Sequence, residues 1–181
     1  VALAADLKTI VAVEKLPGVG SPEFASLRRD ALAIVQRHFR ENRDALEPDA
    51  VGEFASSVPW TPDFSPAPRS LSAADRKRAR NSSYAVAYAI THLNRPRFVV
   101  AYAAAVMALD PDTDLGAGNA ASAILAGAER RYAVSKDAAA LASSRADAVI
   151  VYRYALACSQ AGTHWTVRSL GLLINLGNLY V

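Results

Sequence analysis

Apolar residues recur three and four apart along most of the chain, and short polar or proline-containing stops interrupt them, which predicts a protein built from α-helices. A first amphipathic helix is expected over 2–16, stopped by Pro17-Gly18-Val19-Gly20. Ser21-Pro22-Glu23 then has the form of a helix start: a hydroxyl that accepts a free backbone N–H, and a proline whose fixed φ suits the first turn. Phe24, Leu27, Leu32, Ile34, Val35 and Phe39 give that helix its apolar stripe, and Arg28, Arg29, Arg37, Arg40 and Arg43 read as solvated neighbours. A short helix is expected over 48–57.

Between Pro59 and Pro68, four prolines fix φ and remove backbone donors, so no helix continues through that stretch. Trp60 and Phe64 make it a strap packed onto helices rather than a free tether. Ser72-Ala73-Ala74-Asp75 resembles a capping box, with Asp in place of the usual Glu. Helices are then predicted over 72–93, 96–109, 113–132, 135–160 and 164–181, with breaks at Asn94-Arg95-Pro96, Asp110-Pro111, Ala133-Val134 and Ala161-Gly162. Connections this short imply antiparallel neighbours. Three parts follow: a helical N-terminal region over 1–58, a proline-rich strap over 59–71, and helical hairpins over 72–181.

Composition agrees with this pattern. Hydrophobic residues make up 52% of the 181 and charged residues 20%, which excludes a disordered chain. Alanine dominates from Ala73 onward, and runs such as Ala103-Ala104-Ala105 favour helix over strand. The longest clean apolar run, Phe98 to Leu109, is too short to span a bilayer about 30 Å thick, so a water-soluble chain is expected. Asp6 and Lys8 interrupt the first apolar stretch, where a signal peptide needs an unbroken core, so 1–16 is read as part of the mature protein. A net charge of +3 is too small to imply nucleic acid by itself. The single Cys158 excludes an intramolecular disulfide framework and suits a small apolar core position.

Self-similarity is the strongest organisational signal. The segment RNSSYAVAYAITHLNRPRFVVAYAAAVMALDP, residues 80–111, resembles a degenerate tetratricopeptide repeat, a two-helix unit with small residues where the helices touch and a terminating proline. Val86, Ala87 and Ile90 match apolar, small and bulky positions of the first helix. Val99, Ala103 and Val106 match the second helix, and Asp110-Pro111 the terminating pair. Ala148, Tyr152 and Ala155 resemble another second helix, and Asn175-Leu176-Gly177-Asn178-Leu179-Tyr180 a first helix. The resemblance covers about 80–181 and departs from the family at Ser83, Asn94 and Val99. It implies an all-α stack of α-α hairpins in a right-handed superhelix, with a groove that binds protein or peptide. It also implies that the C-terminal helix pairs with further repeats, with the N-terminal region, or with a second copy in a homodimer.

Candidate chemistry is sparse, and neither a catalytic set, a cofactor motif nor a metal-ligand spacing stands out. Asp110-Pro111-Asp112-Thr113-Asp114 begins like a calcium loop, but Leu115 and Ala121 occupy the places of the required glycine and bidentate acid. That segment is therefore expected to be a turn in which Asp112 or Asp114 caps the next helix. His38, His92 and His164 lack partners at ligand or catalytic spacing and read as surface or half-buried residues. Tyr84, Tyr88 and His92 lie four apart, so they share one helix face, with Asn81 on the same side. The family resemblance implies that these side chains and Asn178 line the groove, with Ile174 standing where carboxylate-binding members carry lysine. Packing of Tyr84 and Tyr88 against residues 1–70 is the alternative. Arg76-Lys77-Arg78-Arg80, with Arg69 nearby, is the densest basic cluster and reads first as a solvated face.

A protein- or peptide-binding scaffold is the expected function. Two alternatives differ in class: a helical enzyme or small-ligand domain, with a pocket between the N-terminal helices and the hairpins, and weak anion or nucleic-acid binding through Arg69–Arg80.

Overall fold

The computed structural model describes residues 16–46, 62–65, 71–159, 171, 174–176 and 179. Their regular structure is helical: α1 (Pro22–Asn42), a 3-10 turn (Arg43–Ala45), α2 (Ala73–His92), α3 (Pro96–Leu109), α4 (Asp114–Ser135) and α5 (Ala138–Ser159). The helices expected over 2–16 and 48–57, and most of 164–181, lie outside the described residues.

Local chemistry sets the helix starts. Ser21 Oγ accepts the Phe24 amide at 3.0 Å and Pro22 opens the first turn of α1. At α2, Ser72 Oγ accepts the Asp75 amide at 3.1 Å, which makes the expected N-cap, and donates to Asp75 Oδ2 at 2.7 Å. The short Asp side chain thus meets the Ser72 hydroxyl rather than closing a box on the Ser72 backbone N–H. Pro96 opens α3. At α4 the capping residue is Thr113, whose Oγ1 accepts the Gly116 amide at 3.4 Å, rather than Asp112 or Asp114. Asp112 is instead drawn across to α1, and Asp114 sits in the first helical turn. The break expected at Ala133-Val134 falls at Lys136-Asp137. Lys136 takes the left-handed conformation (φ 59°), and Asp137 Oδ1 caps α5 by accepting the Ala140 amide at 3.0 Å.

Packing follows from which faces are small and apolar. Every residue from Phe98 to Ala108 is buried, so α3 is the central helix. One face joins Ala31, Leu32, Val35 and Phe39 of α1, Ala117, Ala120 and Ile124 of α4, and Ala148, Val151, Tyr152 and Leu156 of α5 in the main core. The other face, through Phe98, Val99, Tyr102 and Val106, packs beneath Val86 and Ala89 of α2. α1 touches α3 and α5, α3 touches α4, and α4 touches α5, so contact runs around these four helices and returns to α1; α2 lies against α3 and α4. The chain directions follow from paired contacts. Phe24 meets Tyr154 while Arg37 meets Asp147, so α1 and α5 are antiparallel. Ser83 meets Asn119 while Ile90 meets Arg130, so α2 and α4 are parallel.

One expectation about the N-terminal region changes, that for Arg28. α1 shares one core with α3–α5, because seven of its residues spaced three and four apart are buried. Arg28 is among them, not a solvated neighbour: it is 7% exposed and its Nε donates to Asp112 Oδ1 at 2.7 Å. In the strap, Phe64 packs on the core with its ring 5.6 Å from that of Phe39, as a packed strap requires; Trp60 lies outside the described residues.

Candidate functional site

α2 is fastened on one side and open on the other. Its buried positions, Ala79, Ser82, Ser83, Val86 and Ala89, are mostly small, which lets its backbone approach α3 and α4 closely. Side chains of α4 hold its carbonyl oxygens. Asn119 Nδ2 donates to Ser83 O at 2.7 Å, Arg130 Nη2 to Ile90 O at 2.9 Å and Arg130 Nη1 to Leu93 O at 2.7 Å. The arginine satisfies carbonyls that the helix end leaves unpaired and places a cation at its negative dipole end.

The opposite face carries the aromatic line. Tyr84 is 55% exposed and Tyr88 54%, and Asn81 and His92 are exposed as well. For packing of the two tyrosines against residues 1–70, the alternative expectation, the segments 1–15, 47–61 and 66–70 lie outside the described residues. Tyr88 and His92 stack, with centroids 4.1 Å apart and planes 10° from parallel. His92 Nδ1 lies 3.0 Å from Tyr88 O and 2.6 Å from Thr91 Oγ1. A carbonyl oxygen only accepts, so Nδ1 carries the proton in the neutral ring and Nε2 is left as an acceptor. The stripe is therefore a held surface of ring, hydroxyl, amide and imidazole groups. Asn178, the fifth residue expected there, lies outside the described residues.

The other sequence candidates are scattered. His38 is buried, more deeply than expected, with Nε2 2.8 Å from Asp147 Oδ2; Arg37 Nη2 donates to Asp147 Oδ1 at 2.7 Å. Burial of the Asp147 carboxylate pushes its pKa up, but hydrogen bonds and charge from His38 and Arg37 outweigh that and hold it below the ordinary value. His92 is at the far end of α2, and His164 lies outside the described residues. Near the acidic turn, Tyr154 Oη donates to Pro111 O at 2.8 Å and lies 3.1 Å from Asp112 Oδ1. Burial raises the pKa of Asp110, as does the charge of Asp112. Burial also pushes the Cys158 thiol up to about 12. Among the described residues, no three His, Cys, Asp or Glu side chains converge as a metal site.

An open cavity of about 690 Å³ lies beside the start of α1, lined by Leu16, Pro17, Ser21, Glu23, Asp30 and Arg153 among others. It has no histidine or thiol among its lining residues. The polar groups Arg28–Asp112–Tyr154 and His38–Asp147–Arg37, each with both buried and exposed members, do not follow from the sequence pattern. Each group joins α1 to α5, one of them through the α3–α4 turn, by contacts that span 42 to 110 residues of chain, so no local spacing marks it. Among the described residues, no helix is long and apolar enough to cross a membrane. The chain matches no known protein-family model, curated protein or solved structure.

Proposed function

We propose that this protein is a protein- or peptide-binding scaffold of paired helices, and that the exposed stripe Asn81, Tyr84, Tyr88 and His92 on α2 is its contact surface. The observation that carries this reading is the pair of half-exposed tyrosines with Tyr88 held in a stack. Large aromatic rings left in water give up the free energy of burial, and rings with polar tips supply contact area at low entropic cost. α2/α3 and α4/α5 are read as two stacked tetratricopeptide-like hairpins. The parallel contact of α2 with α4, with α3 packed against both, supports that register. In this reading α1 is a cap laid on α3 and α5.

The test is affinity capture from cells of origin with wild type and with a Tyr84→Ala, Tyr88→Ala variant whose circular dichroism and melting match wild type. Partners recovered by wild type and lost by the variant support the reading. Equal recovery by both removes it.

A further inference from the structure

We infer that the segment recognised by α2 is acidic, with its carboxylates over Lys77 and Arg80 and an apolar side chain over Tyr84 and Tyr88; this rests on the binding reading above. Two members of the basic cluster, Lys77 and Arg80, belong to the same face as the aromatic line. Arg80, Tyr84, Tyr88 and His92 are each four residues apart, and Lys77, Asn81, Tyr84 and Tyr88 follow at spacings of four, three and four, so these six residues form one ridge. All of them are exposed.

The charges on this helix are not equivalent. Arg76 Nη1 is used on Leu71 O at 2.6 Å, and Arg78 Nη1 reaches Asp75 Oδ1 at 3.4 Å. Lys77 and Arg80 make no side-chain hydrogen bond or ion pair among the described residues. Asp75 is the one carboxylate of α2, and it is taken by Ser72 and Arg78. The ridge is thus cationic at one end and aromatic at the other, with no acid of its own. From residue 77 to 92 it is about 22 Å long, which an extended peptide of about seven residues covers.

The same features weigh against a nucleic acid strand. Phosphates recur along a strand and call for cations along the whole track, whereas the free cations sit at one end. Bases also need open ring faces. Tyr88 and His92 turn one face each to one another, which takes two of the stripe's ring faces out of base stacking.

A random-peptide display library selected on the intact protein tests this. Selected peptides are resynthesised with Asp and Glu, and again with Asn and Gln, and titrated by fluorescence polarisation. The proteins titrated are wild type, Lys77→Glu with Arg80→Glu, and Tyr84→Ala with Tyr88→Ala; a single-stranded oligonucleotide is titrated in parallel. All four substituted positions are exposed, and melting curves verify folding. The expected result is enrichment of acidic peptides whose affinity falls about tenfold or more on charge reversal, on amidation of the acids and on raising salt, and which the tyrosine variant does not bind. Peptides that need the tyrosines but are neutral and indifferent to charge reversal overturn the acidic assignment and leave the binding reading standing. Failure to recover any tyrosine-dependent peptide overturns both. Oligonucleotide binding lost in both variants, without peptide binding, overturns the assignment in favour of nucleic acid.

Discussion

Arg28 on α1 and Asp112 in the α3–α4 turn are 84 residues apart, yet the guanidinium Nε donates to the carboxylate at 2.7 Å, and Tyr154 of α5 places its hydroxyl 3.1 Å from the same oxygen. One carboxylate therefore ties three elements, with the guanidinium buried and the carboxylate half-open to water. Removing it leaves a buried cation short of its counter-charge. Asp112→Ala is expected to lower unfolding free energy by about 2 kcal/mol, and Tyr154→Phe by about 1 kcal/mol. The double variant should lose less than the sum, because both substitutions break the same network. Urea unfolding of the four proteins measures all three values; strict additivity would show that the contacts are independent.

Asp147 makes stability depend on acid. Its carboxyl is held below the ordinary value in the folded chain by His38 and Arg37, so it binds protons less readily folded than unfolded. Its contribution is complete above the unfolded carboxylate pKa of about 3.9 and is lost as pH falls through the lower folded value. Urea midpoints measured from pH 6 downward should fall in the acid range, and Asp147→Asn should fall less steeply there. Parallel pH profiles for the two proteins would contradict this.

Gly127 of α4 lies directly against Val100 of α3. A Cβ built there meets Val100 Cγ2 at 2.8 Å, and a short branched side chain has no distant end to swing away. Gly127→Ala improves helix propensity by about 1 kcal/mol, but overpacking costs about 1–3 kcal/mol, so net destabilisation of about 1 kcal/mol is expected. In a Val100→Ala background the clash is removed, and the same substitution should become neutral or stabilising. Thermal melts of the four proteins give the sign in each background.

Cys158 should be a slow nucleophile in the folded chain, since burial pushes its thiol to about 12 and the thiolate is the reacting species. At pH 8, iodoacetamide labelling followed by mass spectrometry should be much slower in native buffer than in urea. Equal rates would show the thiol to be open.

The legible parts of the fold were those decided within one turn of chain. Ser21, Ser72 and Pro96 mark helix starts by their own chemistry, and α3 announces its central place by an apolar run on all faces. The α4–α5 break lies beyond Ala133-Val134, which are merely neutral, because Asp137 supplies the cap three to four residues later. Asp112 was expected as a cap because its attraction to Arg28 comes from distant chain, and a hydroxyl at Thr113 was adequate for the amide. Arg28 itself was read as solvated for the same reason. In the candidate site, the shared face of Tyr84, Tyr88 and His92 followed from spacing alone. Its exposure depended on which side of α2 met α3 and α4, and the small residues Ala79, Ser82 and Ser83 decided that.

The most direct test of the binding surface places a photo-crosslinking phenylalanine analogue at position 84, at position 88, or at the exposed apolar control Val134, which is 87% exposed. After irradiation in cells, adducts to another protein from positions 84 and 88 but not from 134 are the predicted result. Adducts of equal yield from all three positions, or from 134 alone, would contradict the assignment of this face of α2 as the site of contact.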